Sequence, residues 1–232
     1  MTQLRQIAIV VEGQTESAFV SEILAPYLQA FDVYVTPVIV KTSRLADGTT
    51  FKGGGMVWKH YENDIRRLLR ATHLHRVSIL VDFYAYPRNA PGVDCCDRRH
   101  QARKCTDLRI RAMADAIDDP RFVPHVVLHE FETWVIAAAL GTSHVLGDQS
   151  VAKQLQAEAR SVDGDVELLN DSFETAPSKR VQNCWPDYDK VTDGIEVIRE
   201  GGLVSVMERC PGLSEWVDRL LSPPAGSQDP PR

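Results

Sequence analysis

The sequence predicts an α/β fold, a mostly parallel sheet flanked by helices with helical additions toward the C-terminus, and three stretches predict it. Ile7 to Val11 is an apolar, largely β-branched run that stops at Glu12 and passes through Gly13 into a polar helix start. Val77 to Val81 repeats the pattern and stops at Asp82, and Val126 to Leu128 repeats it again before His129, Glu130 and Glu132. Short unbroken apolar runs followed by helical spacing are the mark of strands covered on both faces. Open sheets of this kind have their crevice beyond the carboxyl ends of the strands, so each run delivers an acid to the edge where ligands bind.

After the first run, Ser17 to Gln29 reads as a helix with Phe19, Ile23, Leu24 and Tyr27 or Leu28 inward, shortened or kinked at Pro26. Val33 to Val40 reads as a strand, in which Pro37 points to an edge position or a bulge. Lys41 to Gly55 is polar and ends in FKGGG, a connector or lid whose glycines permit close approach to a ligand. It is not a phosphate-binding Walker loop, because the lysine and hydroxyl that must follow are missing. Helical spacing resumes from Met56 to Arg70 and precedes the second run.

Arg88 to Cys105 is polar and expected to be irregular, and a helix follows through Leu108, Ile110, Met113 and Ile117. The third run leads into a helix from about Phe131 to Leu140 with Gly141 as its stop. Val151 to Arg160 reads as a short helix, Ser161 to Ser172 as an acidic loop, and Pro177 and Pro186 as turn formers. Helical pieces are expected at 193–200, 203–209 and 213–221, before a disordered tail. The expected organisation is a core over 1–141, a helical extension over 142–222 packed on it, and the tail over 223–232.

Composition bounds the function. The 232 residues are 44% hydrophobic and 25% charged, an ordinary globular balance, and 26 basic against 32 acidic residues leave a net charge of −6. That opposes a uniformly basic nucleic-acid coat but allows a local basic face. The longest apolar stretch, Trp134 to Leu140, is too short to span a bilayer, and a strand pattern begins almost at once with no signal-peptide core, so the expected setting is the cytoplasm without a membrane partner. Five cysteines at irregular spacing argue against a disulfide scaffold. Cys95, Cys96, His100 and Cys105 do not match the usual zinc spacings and read as ordinary groups in a polar loop.

The candidate chemistry lies in Glu12, Asp82, Glu130 and Glu132. Carboxylates alone form a hard donor set that suits Mg2+ or Mn2+, which can activate water and stabilise a leaving alkoxide in phosphodiester cleavage. His129 is either a ligand or proton donor or a hydrogen-bonded structural histidine, and HEFE is not the HExxH protease motif, because Thr133 stands where the second histidine belongs. Arg98, Arg99, Arg103 and Lys104 belong to the densest basic cluster, and with Lys179 and Arg180 they are the candidate phosphate holders. Each of these is equally read as a solvated surface or capping residue.

Separated motifs in a fixed order carry a resemblance to a known family. VEGQTE at 11–16, VDFYAYP at 81–87, PRFVPHVVLHEFE at 120–132, ETAPSKR at 174–180 and CPGLSEW at 210–216 make the chain resemble the family called domain of unknown function 4276, which looks Toprim-like. The resemblance implies a Toprim-like (Rossmannoid) fold, in which a first-strand glutamate and a later Asp-x-Asp motif bind magnesium in topoisomerases, primases and overcoming-lysogenization-defect-type nucleases. Glu12 matches the glutamate and Asp82 the first aspartate. Tyr84 replaces the second, a departure from the topoisomerase and primase pattern, which Glu130 and Glu132 can make good. The resemblance further implies a separate ATPase partner and defence against foreign DNA. The expected function is thus a divalent-metal-dependent nuclease or related phosphoryl-transfer enzyme. The rivals are a non-catalytic nucleotide- or nucleic-acid-binding subunit of an ATPase complex and a hydrolase of small phosphorylated molecules.

Overall fold

A computed structural model describes residues 4–40, 57–95, 102–169, 172 and 174–224. Four parallel strands, β1 (Arg5–Val11), β2 (Val33–Ile39), β3 (Leu74–Asp82) and β4 (Phe122–Val127), form one sheet in the order β2-β1-β3-β4. This is a Rossmannoid arrangement in general terms. Pro37 sits in the outer strand β2, where its missing N–H is tolerated.

The alternation of side chains along the strands divides the core in two. Ile7, Ile9, Val11 and Leu80 face one layer, while Ala8, Val10, Ile79 and Val81 face the other. The first layer holds the helix that follows β1, in three consecutive parts: α1 (Gln14–Ala18), a π-helical turn (Phe19–Leu24) and α2 (Ala25–Gln29). It begins earlier than the sequence predicts and runs through Pro26. The wide turn ahead of the proline explains this, because it relaxes the ladder at the place where the ring has no N–H to offer.

The second layer holds α3 (Trp58–Leu69) and α4 (Ala102–Ile117). Helix α4 therefore takes in Arg103, Lys104 and Cys105, where the sequence predicts an irregular loop. Cys105 is buried and disulfide-bonded rather than an ordinary loop thiol, whereas Cys95, Cys184 and Cys210 are free. The FKGGG segment, Arg98, Arg99, Cys96 and His100, together with residues 225–232 of the expected tail, lie outside the described residues.

Past β4 the chain is helical: α5 (Glu132–Ala138) with a 3-10 turn (Ala139–Gly141), α6 (Gln149–Arg160), α7 (Pro177–Cys184), α8 (Asp193–Gly201), α9 (Leu203–Met207) and α10 (Pro211–Leu221). Helix α7 is not expected from the sequence, which predicts a turn at Pro177; here Pro177 opens a helix, where proline fits best. Trp134 on α5 and Trp216 on α10 are fully buried in the same layer as α1, so residues after 141 complete the core begun by β1. Among the described residues no helix is long and apolar enough to cross a membrane.

Candidate functional site

The strand order fixes where a site can form. The chain leaves β1 for a helix on one face and leaves β3 for α4 on the other, so the carboxyl ends of β1 and β3 flank a topological switch point, where open α/β sheets bind ligands. Val11 pairs with Leu80 and Asp82 with Val127. The register therefore sets Glu12 and Asp82 side by side at one edge, with the residues after β4 next in line.

Glu12 is half-buried, and burial together with the neighbouring Glu16 raises its pKa. Glu16 is itself buried and accepts a hydrogen bond from the Gly13 N–H at 3.0 Å, which fixes the turn that carries Glu12. Tyr61, buried in α3, turns its hydroxyl toward Glu12 without closing a well-formed hydrogen bond.

Asp82 ends β3 with its side chain 11% exposed. Burial pushes its pKa up to about 7; Lys190 opposes the rise, and Glu16, Glu132 and Glu130 add to it. Glu132 opens α5, only 4% exposed, and burial raises its pKa too. Asp82 Oδ1 and Glu132 Oε2 are buried without a hydrogen-bond partner. Buried polar atoms are rarely left so, and clusters of them mark ligand sites.

Between these acids lies a residue that the sequence reading passed over. Lys190 Nζ is 3.5 Å from Asp82 Oδ2 and 3.4 Å from Glu132 Oε2, over the face of the Phe131 ring. Burial works to lower its pKa, and Asp82, Glu132, Glu16 and Glu130 outweigh that, so the ammonium is held above its ordinary value. Its backbone is pinned by Asp189, whose carboxylate accepts from the N–H groups of Val191 and Thr192. The sequence signal was an Asp-centred turn before a helix, which marks a fixed loop but not the direction of the lysine.

Glu130 is half-buried and turned aside, with Oε1 accepting the Ser178 N–H of α7 at 2.8 Å. His129 is buried against Tyr84 and Phe83, and burial lowers its pKa to about 4, so it is neutral at pH 7.

Of the candidate phosphate holders, Arg103 is paired with Asp165 and Glu167, and Arg180 with Glu158. Lys104 and Lys179 are exposed, and Lys179 lies beside Ser178 at the start of α7. Arg109, part of the same basic cluster, is buried between the rings of Phe83 and Tyr86. A cavity of about 350 Å3 lies apart from the acids, between α4 and α10.

Among the described residues no three His, Cys, Asp or Glu side chains close on a point as metal ligands. The donors nevertheless suit one hydrated hard cation, since Mg2+ is commonly held by one or two carboxylates, its own waters and substrate phosphates. Asp82 and Glu132 supply such a pair, each with a buried oxygen free of hydrogen bonds.

A family model described as Domain of unknown function (DUF4276) matches residues 11–221. No curated protein and no solved structure matches the chain.

Proposed function

The chain belongs to the DUF4276 family, and on that footing we propose that it is a Toprim-like, divalent-metal-dependent phosphodiester hydrolase, a nuclease or a close phosphoryl-transfer relative. The observation that carries this reading is the placement of Glu12 and Asp82 on adjacent parallel strands at the switch point. Glu132 adds a third carboxylate beside Asp82. Asp82 and Glu132 would hold Mg2+ or Mn2+, which when bound supplies Lewis-acid activation of water and of the phosphate. Glu12, its pKa raised by burial and by Glu16, is a stronger base than an ordinary carboxylate and would take a proton from the attacking water. Tyr61, whose hydroxyl lies toward that carboxylate, would orient it, and the exposed Lys179 at the start of α7 would meet phosphate.

The test is cleavage of labelled single- and double-stranded DNA and RNA with Mg2+ or Mn2+, comparing the native chain with Glu12→Gln and Asp82→Asn variants whose folding has been checked. Metal-dependent cleavage lost in both variants supports the reading. Cleavage retained in both places the chemistry elsewhere.

A second reading rests on Lys190, which already neutralises Asp82 and Glu132, and on Tyr84 in place of a second aspartate. In it the chain is a nucleotide- or nucleic-acid-binding subunit of an ATPase complex. Absence of cleavage by a folded protein, together with a co-purifying ATPase, would favour it.

A further inference from the structure

The carboxylates at the switch point meet only one cation among the described residues, and it is tethered rather than fixed. Lys190 springs from a turn whose backbone Asp189 holds, while its own side chain is 33% exposed and has four rotatable bonds. Its ammonium lies at ion-pair distance from Asp82 and Glu132 together. No hydrogen bond of good geometry joins it to Glu132 Oε2, so charge rather than a locked geometry holds it. A divalent ion on the same two carboxylates would approach their oxygens to about 2.1 Å and would repel an ammonium held within ordinary contact.

We propose that Lys190 is the resident counter-ion of this site and that a divalent cation engages Asp82 and Glu132 only by displacing it. The proposal rests on the metal-dependent reading above and adds to it a competition between two cations for the same oxygens. It explains how several buried carboxylates are tolerated side by side in the metal-free chain. It also makes the site selective: a monovalent ion brings no more charge than the ammonium it must replace, whereas Mg2+ or Mn2+ brings twice as much. The released ammonium then remains tethered at the sheet edge, where an anionic substrate would meet it.

The experiment measures Mn2+ affinity calorimetrically for the full native chain and for Lys190→Met, Lys190→Arg and Asp82→Asn variants. Removal of the competing ammonium is expected to tighten Mn2+ binding about tenfold or more in Lys190→Met, with Lys190→Arg near the native value and Asp82→Asn weakened. A lysine that served only to stabilise the fold would give no such gain. Equal or weaker Mn2+ binding by a folded Lys190→Met overturns the proposal, and if metal-dependent cleavage is seen in the same preparation, the hydrolase reading survives alone. Absence of Mn2+ binding by both the native chain and Lys190→Met overturns both.

A measurement on the native protein decides the matter if Lys190→Met does not fold. Acetylation of lysines by an activated ester, read by peptide mass spectrometry, should rise several-fold at Lys190 when Mn2+ is added, with exposed Lys153 on α6 as the unchanged reference. Labelling of Lys190 that ignores Mn2+ overturns the proposal.

Discussion

Lys190 Nζ stands 3.5 Å from Asp82 Oδ2, an ion pair that joins the turn before α8 to the end of β3. The pair does not hold Asp82 in the ordinary carboxylate range, because burial and three neighbouring acids outweigh one ammonium; its pKa remains at about 7. A carboxyl group with a raised pKa keeps its proton in the folded state while the unfolded chain has already lost it. Its stabilisation is present below about pH 4 and is lost as the pH rises through 7. Chemical denaturation of the metal-free protein should therefore show this contribution falling across that window, and Asp82→Asn should make the slope shallower. An unchanged slope would mean that Asp82 is not the group concerned.

His125 acts in the opposite sense. It is buried in β4, stacked 4.7 Å from Trp216 and 6.0 Å from Trp134, and burial followed by Arg219 lowers its pKa from 6.5 to about 3. The unfolded chain takes up the proton first, so stability is lost as the pH falls below 6.5 toward 3. His125→Phe keeps a ring in the stack and removes the titration. Its acid denaturation limb, followed by tryptophan fluorescence, should be flatter than the native one.

The strand ends were legible in the sequence because β-branched runs and the acids that stop them are local signals; Glu12 and Asp82 lie where those runs place them. The order of the strands was not legible, since nothing local says that β1 and β3 are neighbours with the switch point between them. Lys190 was missed for the same reason: a lysine in a polar turn looks solvated until the packing of α8 against α5 sets it over Phe131. Two members of the basic stretch, Arg103 and Arg109, do not share a surface. A helical register through Arg103 and Arg109 sends one to Asp165 and Glu167 and the other inside, between Phe83 and Tyr86.

Glu167, in what the sequence offered only as an acidic loop, holds down the start of α10. Its buried carboxylate accepts the N–H groups of Gly212 at 2.8 Å and Leu213 at 3.2 Å and pairs with Arg103. Removing the acceptor leaves buried donors unmet and Arg103 with one partner fewer, at a cost of about 3 kcal/mol. Glu167→Ala should lower the denaturation midpoint accordingly, and Glu167→Gln, which keeps one acceptor oxygen, should lose less. Equal losses would assign the contribution to the charge of the carboxylate rather than to its packing or to a single acceptor oxygen.

Tyr61→Phe separates function from stability. The hydroxyl is buried without a closed hydrogen bond, so its removal should leave the melting temperature nearly unchanged. If it orients Glu12, the proposed hydrolysis should fall about tenfold, the usual effect of losing a group behind a reacting carboxylate. A fall in stability with no change in rate would make Tyr61 a packing residue.

The spacing that brings Lys190 to Glu132 depends on two backbones in contact. Helices α5 and α8 approach so closely at their ends that a Cβ on Gly201 would lie 2.1 Å from the Ala138 carbonyl oxygen, and one on Gly141 would lie 2.1 Å from that of Gly201. Neither oxygen belongs to a flexible side chain, so the helices must part to admit a methyl group. Gly202 has a different requirement: its φ of 81° ends α8, and open space surrounds it. Gly202→Ala should cost about 1 kcal/mol for the left-handed backbone alone. Gly201→Ala should cost about 3 kcal/mol, roughly 6–12 °C in melting temperature for a chain of this size. Because α5 begins with Glu132 and α8 follows directly on the Lys190 turn, Gly201→Ala should also loosen the ion pair, measured as a rise in Lys190 acetylation without metal. A thermal loss with no change in acetylation would show that the pair is positioned by the Asp189 turn alone.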